Sequence, residues 1–327
     1  MSRTTLGIDI SKEKMDVALY QGESYQLGQF SNDEAGFAKL QKWLKKKEGQ
    51  GCSVCIEATG RYGEAVALHL HQLDYPVSVV NPARIKAYGK SQLKRNKTDR
   101  EDAKVIAHFC ETQKPDLWQP LAPEKRDLQA LVRRLDSLKR MRTQESNRLH
   151  AGLVETVVLE DIHVHLAFLD ERIKVVSQQI QALVEQHPKL KQQRDLLVSI
   201  PGISDITAAK FLAEVADVSQ FDSAAQLAAY AGLTPRRNDS GLSVHKRSRL
   251  SKTGNSRFRT AFYMPAVTAI IWNPIVKALA DRLAKKGKEK MVIIGAAMRK
   301  LIHLAYGVLK TEKPFDPNYL QNGHIRA

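Results

Sequence analysis

Cysteine is scarce in this sequence. Cys52, Cys55 and Cys110 are three thiols in 327 residues, too few for the disulfide framework that staples small secreted domains. The Cys52-x-x-Cys55 pair has no second ligand pair and falls in an apolar run, so it reads as core and not as zinc. Long hydrophobic runs are missing too. The most apolar stretch, Tyr263 to Val276, is interrupted by Pro265, Asn273 and Pro274. It is shorter than the roughly 20 residues of a membrane-crossing helix and is expected to be a core helix. No cationic, then apolar, then small-residue signal opens the chain, and no repeat of solenoid length is visible. A cytosolic protein with no membrane partner is the expectation. Acid is short relative to base: 35 Asp and Glu against 51 Lys and Arg give a net charge of +16. Such an excess repels itself in a compact state unless a polyanion meets it. The 43% hydrophobic content excludes a disordered basic tail.

The length suits two domains of about 150 residues, each with its own core. From Thr5 to Phe30, short apolar blocks separated by turns predict a three-stranded meander. A helix over about 33–47 follows, then a buried strand at Cys52 to Ala58, a helix at 63–73 and a strand at Val77 to Val80 ended by Asn81-Pro82. That order implies a mixed sheet with helices on its faces. Thr98 and Glu101 form a T-x-x-E capping box that opens a helix from Asp99 to about Gln113. Pro115, Pro120 and Pro123 mark a linker. Leu128, Leu131, Leu135 and Leu138, and later Leu166, Leu169, Ile173, Val176, Ile180 and Leu183, keep heptad rhythm. Two long helices are implied, separated by a polar break around Glu155 to His165, folding back on each other or pairing with another subunit. His163 and His165 are read as exposed stalk residues. The region after Pro188 is expected to be predominantly helical, with a helix-hairpin-helix-like segment at 196–215 whose turn offers backbone N–H groups to phosphate. The organisation is thus 1–122, a mixed α/β domain; 123–190, a coiled-coil stalk; and 191–327, an all-α domain.

Asp9 sits inside an apolar strand, where an unpaired carboxylate costs several kcal/mol or loses its charge. Glu57 repeats the anomaly at the end of a second strand. Asp99 and Asp102, at i and i+3, share one helix face about 5 to 6 Å apart. First-turn acids are favoured by the helix dipole in any case, but two strand-end acids joined by an acidic pair point to a cation site. Four carboxylates without a Cys or His cluster suit Mg²⁺, with Mn²⁺ as a substitute.

The bases crowd around these acids. Arg84, Lys86, Lys90, Lys94, Arg95, Lys97, Arg100 and Lys104 face three acids in the same segment, and from Arg236 to Arg259 eight bases meet the single Asp239. Acids do not alternate with bases here, which argues for a nucleic-acid surface over an ordinary solvated face. Arg84, Lys94, Arg95, Lys97, Arg236, Arg237, Lys246, Arg247, Arg249, Lys252 and Arg257 are the candidate contacts. The run Thr234 to Gly241 places the Ser240 hydroxyl on an expected turn beside two guanidiniums. Arginine clamps phosphate bidentately and a positioned serine can attack it. Ser243, Ser248 and Ser251 are rivals for that role.

The motifs, taken in order, resemble a known family. GIDISKEKMDV at Gly7 to Val17, CIEATGRY at Cys55 to Tyr62, VNPARIKAY at Val80 to Tyr88 and RNKTDREDAK at Arg95 to Lys104 are similar to the DEDD transposases of the bacterial insertion-sequence family one-ten, which includes the Piv-type invertases. IPGI at Ile200 to Ile203, AGLTPRRNDSG at Ala231 to Gly241, GNSRFRTAFYMPA at Gly254 to Ala266 and AMRKLIHLAYGVLK at Ala297 to Lys310 extend the resemblance over the whole chain. It implies an RNase H-like (RuvC-like) domain whose catalytic and metal-binding carboxylates are Asp9, Glu57, Asp99 and Asp102. It implies a coiled coil and a helical transposase domain with Ser240 as nucleophile. It further implies two Mg²⁺ ions, target and donor DNA, a noncoding bridge RNA as guide, a homo-oligomer (dimer or tetramer) and a place beside the bacterial nucleoid. A junction resolvase or nuclease using water as nucleophile, and an architectural protein without catalysis, are the rival readings of the residues.

Overall fold

A computed structural model describes residues 4–58, 60–92, 98–152, 155–215, 217–240 and 244–318, apart from the side chains of Arg61, 237–240 and 244–248. Lys94, Arg95, Lys97 and Ser243 lie outside the described residues. The chain divides into two compact units, Met1–Pro120 and Leu121–Ala327.

Unit 1 opens with the expected meander: β1 (Thr5–Ile10), β2 (Lys14–Gln21) and β3 (Ser24–Ser31), followed by α1 (Glu34–Lys46). The Asp33 carboxylate caps α1 by accepting from the Gly36 N–H at 2.7 Å. Then come β4 (Ser53–Glu57), α2 (Glu64–Gln72), β5 (Val77–Val80), α3 (Pro82–Ser91) and α4 (Asp99–Gln113). The strands lie in the order β3-β2-β1-β4-β5. β1 is antiparallel to β2 and parallel to β4, and β4 is parallel to β5.

Strand alternation divides the side chains between two layers. Leu6, Ile8, Ile10, Met15, Val17, Leu19, Val54 and Ile56 join Phe37, Leu40, Leu44, Val66 and Leu70 in one core. The alternate positions, Cys55 among them, meet Val105, Ile106 and Cys110 of α4 on the other face. All three cysteines are free and buried, as expected of core residues. The strand β5 ends at Asn81-Pro82 as expected, and the sequence reading named no helix between there and Asp99, where α3 is found. Asn81 caps this helix through the Ala83 N–H at 2.8 Å, and Pro82 takes the first helical position, where its missing N–H costs nothing.

Unit 2 begins with α5 (Pro123–His150) and α6 (Thr156–Gln186). Leu128, Val132, Leu135 and Leu138 of α5 and Leu169, Val176, Ile180 and Val184 of α6 are buried in the same core as the helices that follow, with Ile173 partly buried against it. The interruption is shorter than the Glu155 to His165 break expected, because His163 and His165 are helical and exposed; His165 reaches Glu145 at 3.4 Å.

Next come α7 (Pro188–Val198), α8 (Asp205–Glu214) and α9 (Ala224–Tyr230); then β6 (Pro235–Ser240), β7 (Val244–Leu250), α10 (Ser256–Ala261), α11 (Tyr263–Trp272), α12 (Pro274–Lys285) and α13 (Lys290–Thr311). Phe211, Phe258 and Phe262 are fully buried at its centre, with edge-on rings 5.2 to 6.1 Å apart. Two expectations need correction. The apolar stretch from Tyr263 is not one helix: it bends by 88° at the buried Asn273, whose carboxamide oxygen accepts from the Ile275 and Val276 N–H groups and so starts α12. The region after Pro188 is not purely helical either, since β6 and β7 pair as a two-stranded antiparallel sheet. The 22-residue α13 is long and apolar enough to cross a membrane by length and composition, but Ile294, Ala297, Met298, Leu301, Ile302 and Ala305 bury its inner face in this core.

Candidate active site

The acids of unit 1 gather on the α4 face of the sheet. Asp9 lies on the odd-numbered face of β1, directly opposite Asp16 of β2. One step beyond the Ile8 and Ile56 pair of the parallel β1–β4 register, Asp9 and Glu57 come at the same strand ends. The head of α4 supplies Asp99 and Asp102, and the Thr98 hydroxyl caps it by accepting from the Glu101 N–H at 3.3 Å.

A glycine lets this happen. A Cβ on Gly7 would stand 2.3 Å from both the Ala103 carbonyl oxygen and the Ala107 nitrogen, so only glycine allows the α4 backbone to press on β1. The Thr5 hydroxyl ties the same crossing by donating to the Ala107 carbonyl at 2.9 Å.

The electrostatic consequence is visible at Asp9. Partial burial, then the charges of Glu57, Asp102, Asp99 and Asp16, raise its carboxyl from 3.8 to about 6. The four acids named from sequence are therefore brought together, and Asp16 joins them. Sequence reasoning missed Asp16 because nothing in MDVAL marks it until strand pairing sets it beside Asp9. It also missed Lys14, whose ammonium lies 2.8 Å from Asp99 and 3.1 Å from Asp16. Gln29 donates to the far oxygen of the buried Asp16 at 2.8 Å. An all-oxygen donor set under mutual repulsion fits a hard divalent cation. Among the described residues, no three or more His, Cys, Asp or Glu side chains are arranged closely enough to hold a metal ion as they stand.

The candidate nucleic-acid contacts fall in both units. Arg84 on α3 is exposed, its guanidinium 5.5 Å from the centre of the Phe109 ring. In unit 2, Arg236 on β6 pairs in register with Arg249 on β7, and the register is irregular between Arg236 and Asn238. Lys252 and Arg257 are exposed beyond β7. Arg237, Lys246 and Arg247 are strand residues whose side chains are not described. Ser240 is the last residue of β6, opposite Val244; it belongs to a strand and not to the expected turn.

Two arginines to which the sequence reading gave no separate role secure the root of this hairpin. Arg259 donates to the Ala231 and Lys252 carbonyls, each at 3.1 Å, and Arg299 donates to the Leu233 carbonyl at 3.3 Å. The segment at 196–215 runs from the end of α7 through a glycine-containing turn into α8. Gly202, at φ +105, packs where a Cβ would stand 2.8 Å from that of Ala269. Ser204 caps α8 and Arg194 lies 3.2 Å from Asp205, so this helix start already carries its own anion.

Comparison with known proteins gives two family matches, the first of which runs on from unit 1 into α5 and α6. Residues 6–158 match a family model described as Transposase, the DEDD type of IS110 elements, and residues 194–281 match the Transposase IS116/IS110/IS902 family. The pilin gene-inverting proteins of Moraxella bovis and Moraxella lacunata are each 35% identical to the chain over 319 residues, covering 97% of it and 98% of their own length. The transposase for insertion sequence element IS1328 of Yersinia enterocolitica is 26% identical over 270 residues, 73% of this chain and 75% of its own. The mixed-sheet domain with its cluster of acids and the helical domain with its basic hairpin thus both carry transposase matches. The chain belongs to the IS110 family of insertion-sequence transposases and recombinases.

Proposed function

We propose that this protein cuts and rejoins target and donor DNA through a covalent phosphoserine at Ser240, with Asp9, Glu57, Asp99 and Asp102 as a Mg²⁺-binding set. The observation that carries the reading is the convergence of acids from β2, β4 and α4 on a half-buried Asp9, whose burial and then these charges hold its carboxyl at about 6. The sheet order and the acids at the ends of its central strands support a RuvC-like, RNase H-type domain. Mg²⁺, or Mn²⁺ in its place, supplies charge neutralisation at the scissile phosphate and the departing oxygen when bound.

The covalent step belongs to unit 2. The Ser240 oxygen bonds to phosphorus as its proton leaves, the bond to the departing strand breaks, and that strand's oxygen takes up a proton. The phosphodiester energy is conserved in the serine ester, so rejoining to a new strand needs no ATP. Arg236 and Arg249, paired across the hairpin, are placed to clamp backbone phosphate. A bridge RNA that pairs with both DNAs would leave the protein to read mainly backbone and shape. The α5–α6 hairpin acts as a coiled-coil stalk in a homo-oligomer that works on nucleoid DNA. Relatives named for pilin gene inversion support site-specific recombination, by inversion or transposition.

The test is Ser240→Ala with labelled DNA, guide RNA and Mg²⁺. The variant is expected to bind both nucleic acids and to form no protease-sensitive DNA adduct, while the wild type forms one. Undiminished strand exchange by Ser240→Ala would transfer the role to Ser243, Ser248 or metal-activated water, as in a junction resolvase.

A further inference from the structure

Lys14 is the first residue of β2, and its backbone is fixed. Its N–H donates to the Ser11 hydroxyl at 3.2 Å, and that hydroxyl donates back to the Lys14 carbonyl at 3.0 Å. The ammonium meanwhile joins two elements of the acid cluster, 3.1 Å from Asp16 on β2 and 2.8 Å from Asp99 at the head of α4. The two anchors differ in character: the Asp16 side chain is 4% exposed, and that of Asp99 is 59% exposed. Lys14 itself is 42% exposed and also lines an open depression of about 520 Å³, together with Ser11, Lys12, Glu13, Gln29, Phe30 and Ser31. The side chain thus has a second place to go, lined by Lys12 and Glu13 of opposite charge.

We infer that Lys14 is a positioning residue: an internal counter-ion that holds Asp99 to the cluster in the metal-free protein and is displaced from Asp99 when a divalent cation binds. The inference rests on the metal-site reading above. Carboxylates facing one another need a cation to stay together, and an ammonium at hydrogen-bond distance from two of them supplies it. A divalent ion carries twice that charge and binds several oxygens at once, whereas a half-exposed lysine pair is weak. The exchange therefore runs in the metal's favour. The released ammonium remains tethered at β2, facing the depression where it can meet a phosphate of the DNA strand. Metal loading and the presentation of a cation to the backbone become one event.

Competition gives the inference a sign that a merely structural lysine would not have. Removing the internal cation should tighten divalent binding by about three- to tenfold, since the metal no longer displaces a charge-paired partner. The measurement is Mn²⁺ binding to the full-length protein by electron paramagnetic resonance, with melting temperatures taken in EDTA and in saturating Mn²⁺. Lys14→Met is expected to bind Mn²⁺ more tightly than wild type and to melt lower in EDTA, with the gap closing in Mn²⁺. Lys14→Arg, which keeps the charge, should return both properties to wild type. Should Lys14→Met not fold, Lys14→Gln carries the same expectation with a neutral, polar side chain. Asp9→Asn separates the two levels. If it loses Mn²⁺ while the Lys14 variants bind no more tightly than wild type, the counter-ion role is overturned and the metal site stands. If Asp9→Asn binds Mn²⁺ like wild type, the metal-site reading itself fails, and the Lys14 role with it.

Discussion

Asp9 on β1 and Asp16 on β2 stand directly opposite each other in the antiparallel register, a placement in which like charges oppose pairing. Burial and the neighbouring acids lift the Asp9 carboxyl from 3.8 to about 6. An acid whose folded value lies above its unfolded value weighs against the fold as pH rises between the two, and the cost persists above the higher value. Asp9→Asn removes the charge and keeps the shape. It is therefore expected to raise the melting temperature of the metal-free protein at about pH 7.5 even as it abolishes strand cleavage, with the gain fading below about pH 4. Calorimetry in EDTA across that range checks it. A variant that melts at or below wild type at neutral pH would remove the electrostatic account of the site.

Gly7 offers a steric test of the same cluster. A Cβ there would meet the Ala103 carbonyl oxygen and the Ala107 nitrogen at 2.3 Å, and neither backbone atom can turn aside as a side chain could. Gly7→Ala is expected to cost about 3 kcal/mol or more and to push α4, with Asp99 and Asp102, away from Asp9. Chemical denaturation gives the first quantity, and Mn²⁺ affinity of the remaining folded protein gives the second. Wild-type values for both would mean that α4 does not rest on β1 through this glycine.

A pH response of the opposite sign is expected from α13. Burial, then Arg299 and Lys300, lower His303 from 6.5 to about 4, and its Nε2 is buried without a hydrogen-bond partner. A base with a depressed folded value gives no penalty above 6.5; below that the unfolded chain takes up the proton that the fold refuses. Unit 2 should lose stability as pH falls from 6.5 towards 4, and His303→Gln should flatten that slope. Equal slopes for the two proteins would mean that His303 titrates normally.

Much of unit 1 was legible in the sequence, because its strands alternate and its helices carry cap signals. Asp33, Thr98 and the blocks from Thr5 to Phe30 mark their elements directly. What stayed hidden depends on pairing or on polar sequence. Asp16 acquires its place only through the β1–β2 register. The hairpin at 235–250 has no apolar alternation, since its sequence is largely Arg, Ser, Asn and Lys, so no period of two announces it. Asn273-Pro274 was visible as an interruption, but the 88° bend follows from the Asn273 side chain capping a second helix. Arg259 and Arg299 were bases among many, and only the carbonyls they hold distinguish them from phosphate contacts.

That hairpin carries the last expectation. Arg236 and Arg249 face each other across β6 and β7, and both are exposed. Two guanidiniums in a directly opposed pair repel in the free protein, a cost that an intervening phosphate converts into a clamp. Each arginine bound to backbone phosphate releases about 0.9 counterion, so the affinity for duplex DNA depends on salt with a slope that counts such contacts. Arg236→Gln together with Arg249→Gln should reduce that slope by about 2 and weaken binding roughly tenfold per arginine at 0.1 M salt, with little dependence on sequence. Filter binding between about 50 and 200 mM salt, beside a denaturation curve, separates the outcomes. A reduced slope with intact stability places these arginines on the phosphate backbone. A full slope with lost stability would make them part of the hairpin's own scaffold, as Arg259 and Arg299 are.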